Sequence, residues 1–360
     1  MIMTGLRGVG KTVLLNRFAE LAELAGWESI ELEASKHDET AFRQSIFSKF
    51  RAALLHISPR RRWSERARHA AEVLSSFVLS MDQSGTFSVT WDVDPSEGYG
   101  DHGDLGLDLT DVFLAVGDVA KEKETGIVLL IDEVQFLTTV QLESLIQAVH
   151  KSVQKKLPIT FVGAGLPQIA ELAGDAKSYA ERLFQFPRID SLTPEEARQA
   201  LVGPAETENV SYDEDAVDLT VNLTHGYPYF IQELGYQAWI VANGNRITAE
   251  DISIAKEAYE AKLDGSFFRV RLDRATPLQT AYMRAMAELG SEPQKAADVA
   301  SLMKRESSQV APIRSQLIDM GLLYTPQHGY AAFTVPDFDK FMMRAVPRLE
   351  VPEIHYRRRR

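Results

Sequence analysis

Apolar residues recur at helical spacing along residues 12–27, 40–56, 63–78, 109–123 and 139–154, which predicts amphipathic helices there. Between the last two, Ile127-Val128-Leu129-Leu130-Ile131 is an unbroken aliphatic run. Such a run reads as a strand buried on both faces, and hence as part of a parallel sheet. Residues 30–34 and 157–162 read as further strands, and 86–93 alternates apolar and polar positions like a half-buried strand. The expected fold class is α/β, a doubly wound parallel sheet, and a strand-like piece follows at 184–186. From Thr193 the pattern turns helical, with helices at 212–223, 227–243 and 248–263, the second opened by His225-Gly226-Tyr227-Pro228. A break is expected at Asp264-Gly265-Ser266. Helices at 277–289, 294–303 and 310–320 then precede strand-like pieces at 322–324 and 332–335, the layout of a winged helix-turn-helix. The expected division is a core over 1–190, a helical lid over 191–265, a winged-helix domain over 266–346 and a basic tail over 347–360.

Composition narrows the classes. The 360 residues are 45% hydrophobic and 25% charged, as in an ordinary globular protein. A net charge of −12 argues against coating nucleic acid by bulk electrostatics. The absence of cysteine excludes disulfides, thiolate catalysis and zinc–thiolate sites. No signal peptide or membrane-length apolar run is visible, so the chain reads as cytoplasmic with no membrane partner. The acidic, glycine-rich stretch 94–108 offers Asp101, His102, Asp104 and Asp108 as conceivable metal ligands, but their spacing fits no EF-hand and a solvated acidic loop is the expected reading. Arg60-Arg61-Arg62 reads as a solvated helix start.

The chemistry is concentrated in two places. Gly5-Leu6-Arg7-Gly8-Val9-Gly10-Lys11-Thr12 is a complete G-x-x-x-x-G-K-[ST] phosphate-binding loop running into a helix at Val13. Its glycines let successive N–H groups face a phosphate, and the helix adds its positive end. Lys11 is placed to reach the β- and γ-phosphates, and the Thr12 hydroxyl to ligate Mg²⁺. Only Ile2, Met3 and Thr4 precede the loop, so its strand is either stunted or clipped, and we expect the latter. The second place is Asp132-Glu133 at the C-terminal end of the aliphatic strand, where ligands bind in open α/β sheets. Asp132 would hold the metal ion and Glu133 would polarise the attacking water.

Together the phosphate loop, the Leu-Leu-Ile-Asp-Glu strand, the Glu-Arg-Leu-Phe segment at 181–184 and the Gly-Tyr-Pro turn resemble bacterial AAA-type ATPases. The likeness is to origin-recognition-like ATPases and to signal-transducing ATPases with numerous domains. Residues 163–167, 178–184 and 333–336 also resemble a family of bacterial ATP-binding proteins without a settled cellular role. The resemblance implies ATP and Mg²⁺ as cofactors, Walker A contacts from Gly5 through Val13, and Walker B acids at Asp132 and Glu133. It also implies an arginine finger at Arg182 that completes a neighbouring subunit's site, and an adenine contact at Tyr227-Pro228. Three departures stand out. Gly163-Ala164-Gly165 lacks the polar γ-phosphate sensor, the lid helix at 227–239 lacks an arginine, and the segment that normally walls the adenine does not precede the loop. These departures favour a slow switch over a fast motor.

Two functional readings follow: a slow Mg-dependent ATPase working as a conformational switch, or a DNA- or protein-binding adaptor that holds ATP or ADP without meaningful turnover. Glu133 favours the first. A kinase is disfavoured because no acceptor pocket can be read. In the expected third helix of the winged unit, Val310, Ile313, Leu317 and Met320 read as core. Lys304, Arg305, Ser308, Gln309, Arg314, Ser315 and Gln316 would offer a polar face to DNA, opposed by Glu306 and Asp319. A homo-oligomer or a protein partner is the other expectation, and Arg357 to Arg360 reads as a solvated end.

Overall fold

The computed structural model describes residues 1–35, 39–79, 93–177 and 180–352. They divide into two compact units, Met1–Gly5 with Lys11–Arg188, and Leu6–Gly10 with Ile189–Arg360.

The first unit contains β1 (Ile2–Thr4), α1 (Lys11–Leu24), β2 (Glu28–Glu33), α2 (Glu39–Ile57), α3 (Glu65–Leu79), α4 (Leu105–Glu122), β3 (Ile127–Asp132), α5 (Thr139–Gln154), β4 (Ile159–Gly165), α6 (Ile169–Ala176) and α7 (Ala180–Leu183). The four strands are parallel, in the order β1-β4-β3-β2. The β3 aliphatic run is buried along its length, and Val112, Phe113, Val116, Leu145 and Ile146 of α4 and α5 join it in one apolar cluster. Each such side chain removed from water contributes about 1.5–3 kcal/mol. Residues 184–186 form no strand of their own. The Ile2 and Thr4 N–H groups donate to Gln185 O and Pro187 O, both at 2.8 Å, along the open side of β1. Pro187 has no N–H to return to Ile2, and the flank amounts to one parallel bridge, Thr4 with Arg188. The three residues of β1 are therefore bonded on both sides.

Several boundaries differ from expectation. α3 starts at Glu65, after an exposed 3₁₀ turn at Arg60–Arg62. α4 starts at Leu105 because the Asp104 carboxylate accepts the Leu107 N–H at 2.9 Å and caps it. α6, absent from the sequence reading, forms by burying Ile169 and Ala173. The strand expected at 86–93 falls almost wholly outside the described residues, as do Ser178, Tyr179 and residues 353–360 of the basic tail.

The second unit begins with α8 (Pro194–Thr207), opened by a Thr193–Glu196 capping box. It continues through β5 (Ser211–Tyr212), α9 (Glu214–Thr224), α10 (Pro228–Val241), β6 (Arg246–Ile247) and α11 (Ala249–Lys262). Asp264–Ser266 lies inside a wide helical turn, Leu263–Phe268, that carries α11 into α12 (Arg269–Leu272) without a break. Phe267 and Phe268 hold that turn in place. Phe267 stacks on Tyr229 at 4.4 Å and Phe268 on Phe341 at 5.2 Å, and such burial outweighs the turn propensity of Asp-Gly-Ser. Next come α13 (Pro277–Leu289), β7 (Gln294–Lys295), α14 (Ala296–Leu302), α15 (Ser307–Asp319), β8 (Leu323–Tyr324), β9 (Tyr330–Phe333) and α16 (Phe338–Ala345). The last three strands form an antiparallel sheet, β7-β9-β8.

Candidate functional site

In the first unit the parallel order places the end of β1, with Gly5, beside the end of β4, and β4 beside the end of β3, with Asp132. Lys11 is 8% exposed, and its ammonium donates to the Gly5 carbonyl at 2.9 Å, folding the end of the phosphate loop onto its start. The Thr12 hydroxyl donates to Asp132 Oδ2 at 2.6 Å, and Asp132 Oδ1 accepts the Glu133 N–H at 2.7 Å. Both carboxylate oxygens of Asp132 are thereby oriented. Beside this pair lies a cleft of about 210 Å³ lined by Thr12, Asn16, Glu31, Glu33, Leu130 and Asp132. A hydroxyl and a carboxylate at hydrogen-bonding distance form an all-oxygen donor set, which suits a hard cation such as Mg²⁺. Glu33, directly across the ladder from Asp132, adds a second acid that the sequence reading passed over because it sits on the polar side of an ordinary strand.

Glu133 follows with backbone dihedrals of 53° and 38°, the left-handed region disfavoured for a residue with a side chain. Its carboxylate accepts from the Gln135 amide. Gln135, another residue the sequence reading passed over, sits in the short 3₁₀ turn Val134–Phe136.

The tip of the loop, Leu6–Gly10, belongs to the second unit. Gly8 and Gly10 have φ of 85° and 92°, which explains glycine at both. Val9 is 5% exposed and joins the apolar cluster of that unit, and the Arg7 N–H donates to Thr334 O at 3.2 Å. Any side chain at Gly8 would come within 3.0 Å of the Tyr227 hydroxyl. Tyr227 is 1% exposed, its hydroxyl has no hydrogen-bond partner among the described residues, and burial pushes its phenol well above the ordinary range. Pro228 is the first residue of α10. Arg271 on α12, hidden in the sequence by the apparent break before it, lies 4.0 Å from the Phe267 ring centroid. Burial, and after it the charge of Arg7, holds its guanidinium below the usual value. Val13 and Arg182 are exposed to solvent.

Two sets of candidates are placed differently from expectation. Asp108 does not lie in a solvated loop. It is fully buried in α4 and paired with Arg43 at 2.9 Å, while Asp101 accepts the Gly98 N–H and Asp104 caps the helix. Backbone and guanidinium donors occupy these acids, and no metal-binding group of three exists among the described residues. On α15, Arg314 is half-buried and donates to Thr325 Oγ1 at 3.1 Å and Tyr330 O at 2.6 Å, Arg305 donates to Pro352 O, and Gln316 accepts from Gln279 at 2.9 Å. Lys304, Ser308, Gln309 and Ser315 remain exposed. The polar face therefore carries fewer free donors than its sequence suggests. No described helix is long and apolar enough to cross a membrane.

Residues 1–162 match the family model of the AAA ATPase domain, and residues 265–342 match a domain of unknown function, DUF8462. No curated protein matches the chain. Among solved structures, the Walker-type ATPase PABY2304 of Pyrococcus abyssi superposes with a TM-score of 0.58 at 16% identity, covering 95% of this chain and 90% of that one. The Orc1 protein of Aeropyrum pernix in complex with DNA gives 0.42 at 15% identity, over 96% of this chain and 86% of that one. The RuvB branch-migration motor of Thermotoga maritima gives 0.44 at 14%, over 98% and 87%. The chain thus shares its α/β fold with the Walker-type ATPase of Pyrococcus abyssi, and its residues 1–162 are similar to the AAA ATPase domain.

Proposed function

We propose that the protein binds ATP with Mg²⁺ and hydrolyses it slowly to ADP and phosphate, as a nucleotide-driven conformational switch. The observation that carries this reading is the 2.6 Å contact between Thr12 and Asp132, which joins the phosphate loop to the acidic strand end with Glu133 next in the chain. Mg²⁺ would be held by Thr12 Oγ1 and Asp132, and when bound it neutralises phosphate charge. The N–H groups of Leu6 through Thr12 cradle the phosphates, with Val13 continuing the helix whose positive end faces them. Lys11 exchanges the Gly5 carbonyl for the β- and γ-phosphate oxygens. Glu133 orients the attacking water and draws on its proton. Arg182, exposed on α7, is suited to act on the site of a second copy, and Tyr227-Pro228 to contact the base. The winged-helix arrangement of α13, α14, α15 and the β7-β9-β8 sheet would respond to the nucleotide state.

The test is nucleotide binding and hydrolysis by the purified chain at several protein concentrations, beside Lys11→Ala, Glu133→Gln and Arg182→Ala. Lys11→Ala is expected to lose binding. Glu133→Gln should bind but not turn over. Arg182→Ala should abolish any rise in turnover per molecule with concentration. Nucleotide binding without turnover in the wild type would instead make the protein an adaptor, and no binding would refute the reading.

A further inference from the structure

The end of β4, Gly163-Ala164-Gly165, carries glycine at two of its three positions for a reason. A Cβ at Gly165 would lie 2.8 Å from Gln135 Oε1, and one at Gly163 would lie 3.0 Å from Val134 Cγ2. The 3₁₀ turn after β3 fills that space, and Gln135 brings an amide to the strand end where Gly163-Ala164-Gly165 has no polar side chain. Both ends of the amide are engaged. Its oxygen accepts the Leu166 N–H at 3.0 Å, and its nitrogen donates to Glu133 Oε2. A backbone N–H can only donate and an ionised carboxylate can only accept, so one amide orientation satisfies both and the reverse satisfies neither.

The peptide that holds Gln135 also holds the phosphate loop. The carbonyl of the Gly165–Leu166 peptide accepts the Gly5 N–H at 3.1 Å, and its N–H meets Gln135. One rigid peptide plane therefore links the first residue of the loop, through the Gln135 amide, to the Glu133 carboxylate. The backbone of Glu133 is in the strained left-handed region, so its side chain reaches this partner from a conformation that the surrounding contacts must hold.

We propose that Gln135 is the positioning residue for Glu133, reporting the state of the phosphate loop to the carboxylate through the Gly165–Leu166 peptide. This rests on the ATPase reading above. The test is steady-state ATP hydrolysis and nucleotide affinity of the full chain for the wild type, Glu133→Gln, Gln135→Ala and Gly165→Ala. A misdirected catalytic group costs up to roughly a hundredfold, so Gln135→Ala should lower kcat about ten- to a hundredfold while KM and nucleotide affinity stay within about threefold. Gly165→Ala displaces Gln135 Oε1 by adding one methyl group and should give the same split. The two changes combined should be no worse than either alone, because both break one relay. Retained nucleotide affinity certifies that each variant is folded. A Gln135→Ala kcat within twofold of the wild type, with Glu133→Gln inactive, overturns this inference alone, as does a loss in KM rather than kcat. Absence of turnover in the wild type overturns both readings.

Discussion

Arg43 and Asp108 form a buried ion pair between α2 and α4, and removing one partner should be among the most damaging changes available in the first unit. The side chains are 1% and 0% exposed, and their contact is 2.9 Å. Arg43 also donates to Glu39 at 3.0 Å and to the Phe77 carbonyl at 3.2 Å, and its guanidinium lies 4.8 Å from the Phe77 ring centroid. Arg43→Met keeps most of the volume but strands a buried carboxylate whose other oxygen is already committed to the His102 N–H at 2.8 Å. Breaking a buried pair in this way costs about 3–5 kcal/mol. Urea unfolding of a domain this size has a slope of about 2 kcal/mol per molar, so the midpoint of the first unit should fall by roughly 1.5–2.5 M. Asp108→Leu should do similar damage by stranding the guanidinium. The double variant, with no buried charge left, should recover about 2 kcal/mol or more of the summed loss. Single changes costing less than about 1 kcal/mol, or strictly additive ones, would refute the claim that this charge is sealed from water and satisfied by its partner.

Three further outcomes are expected. Tyr227→Phe removes a buried hydroxyl without a partner among the described residues and should raise the stability of the nucleotide-free protein by about 1 kcal/mol in thermal melts; a loss of that size would mean the hydroxyl is bonded. Gly226→Ala places a methyl group 2.2 Å from Leu192 O at a φ of 69° and should cost about 2 kcal/mol or more; a variant as stable as the wild type would contradict that turn geometry. The His102 ring nitrogen bonds Asp111 at 2.9 Å, which raises its pKa above 6.5, so the stabilisation is complete below pH 6.5 and fades as pH rises through the raised value. An NMR titration should show that elevation in the wild type and lose it in Asp111→Asn, whereas an unchanged value in the variant would exclude Asp111 as the cause.

The parts of the site that depend on short-range chemistry were legible in the chain. A phosphate loop calls for glycine where φ is positive, and an aliphatic strand ending in two acids fits the C-terminal end of a strand inside a parallel sheet, so Gly8, Gly10, Asp132 and Glu133 stand out as candidates. What escaped was set by long-range packing. Gln135 reads as an ordinary turn residue until β4 arrives beside it, and nothing local shows that Gly163 and Gly165 leave the space that Val134 and Gln135 fill. Arg271 was hidden because Asp264-Gly265-Ser266 resembles a hinge, whereas the stacking of Phe267 and Phe268 helps keep the helix wound through it. The acids at 101–108 invite a metal reading until backbone donors and Arg43 claim them.

A three-residue strand would ordinarily fray, and an active-site loop attached to it would inherit that motion. Here the Ile2 and Thr4 amides are bonded to Gln185 and Pro187 on one flank, and on the other Met1 O and Gly165 O receive the Gly163 and Gly5 amides. β1 ends the strand order, but opening it means breaking the bonds on both flanks at once. The Ile2 and Thr4 amide protons should therefore exchange with solvent more slowly than those of an end strand bonded on one side alone, and the phosphate loop starts from that doubly held strand.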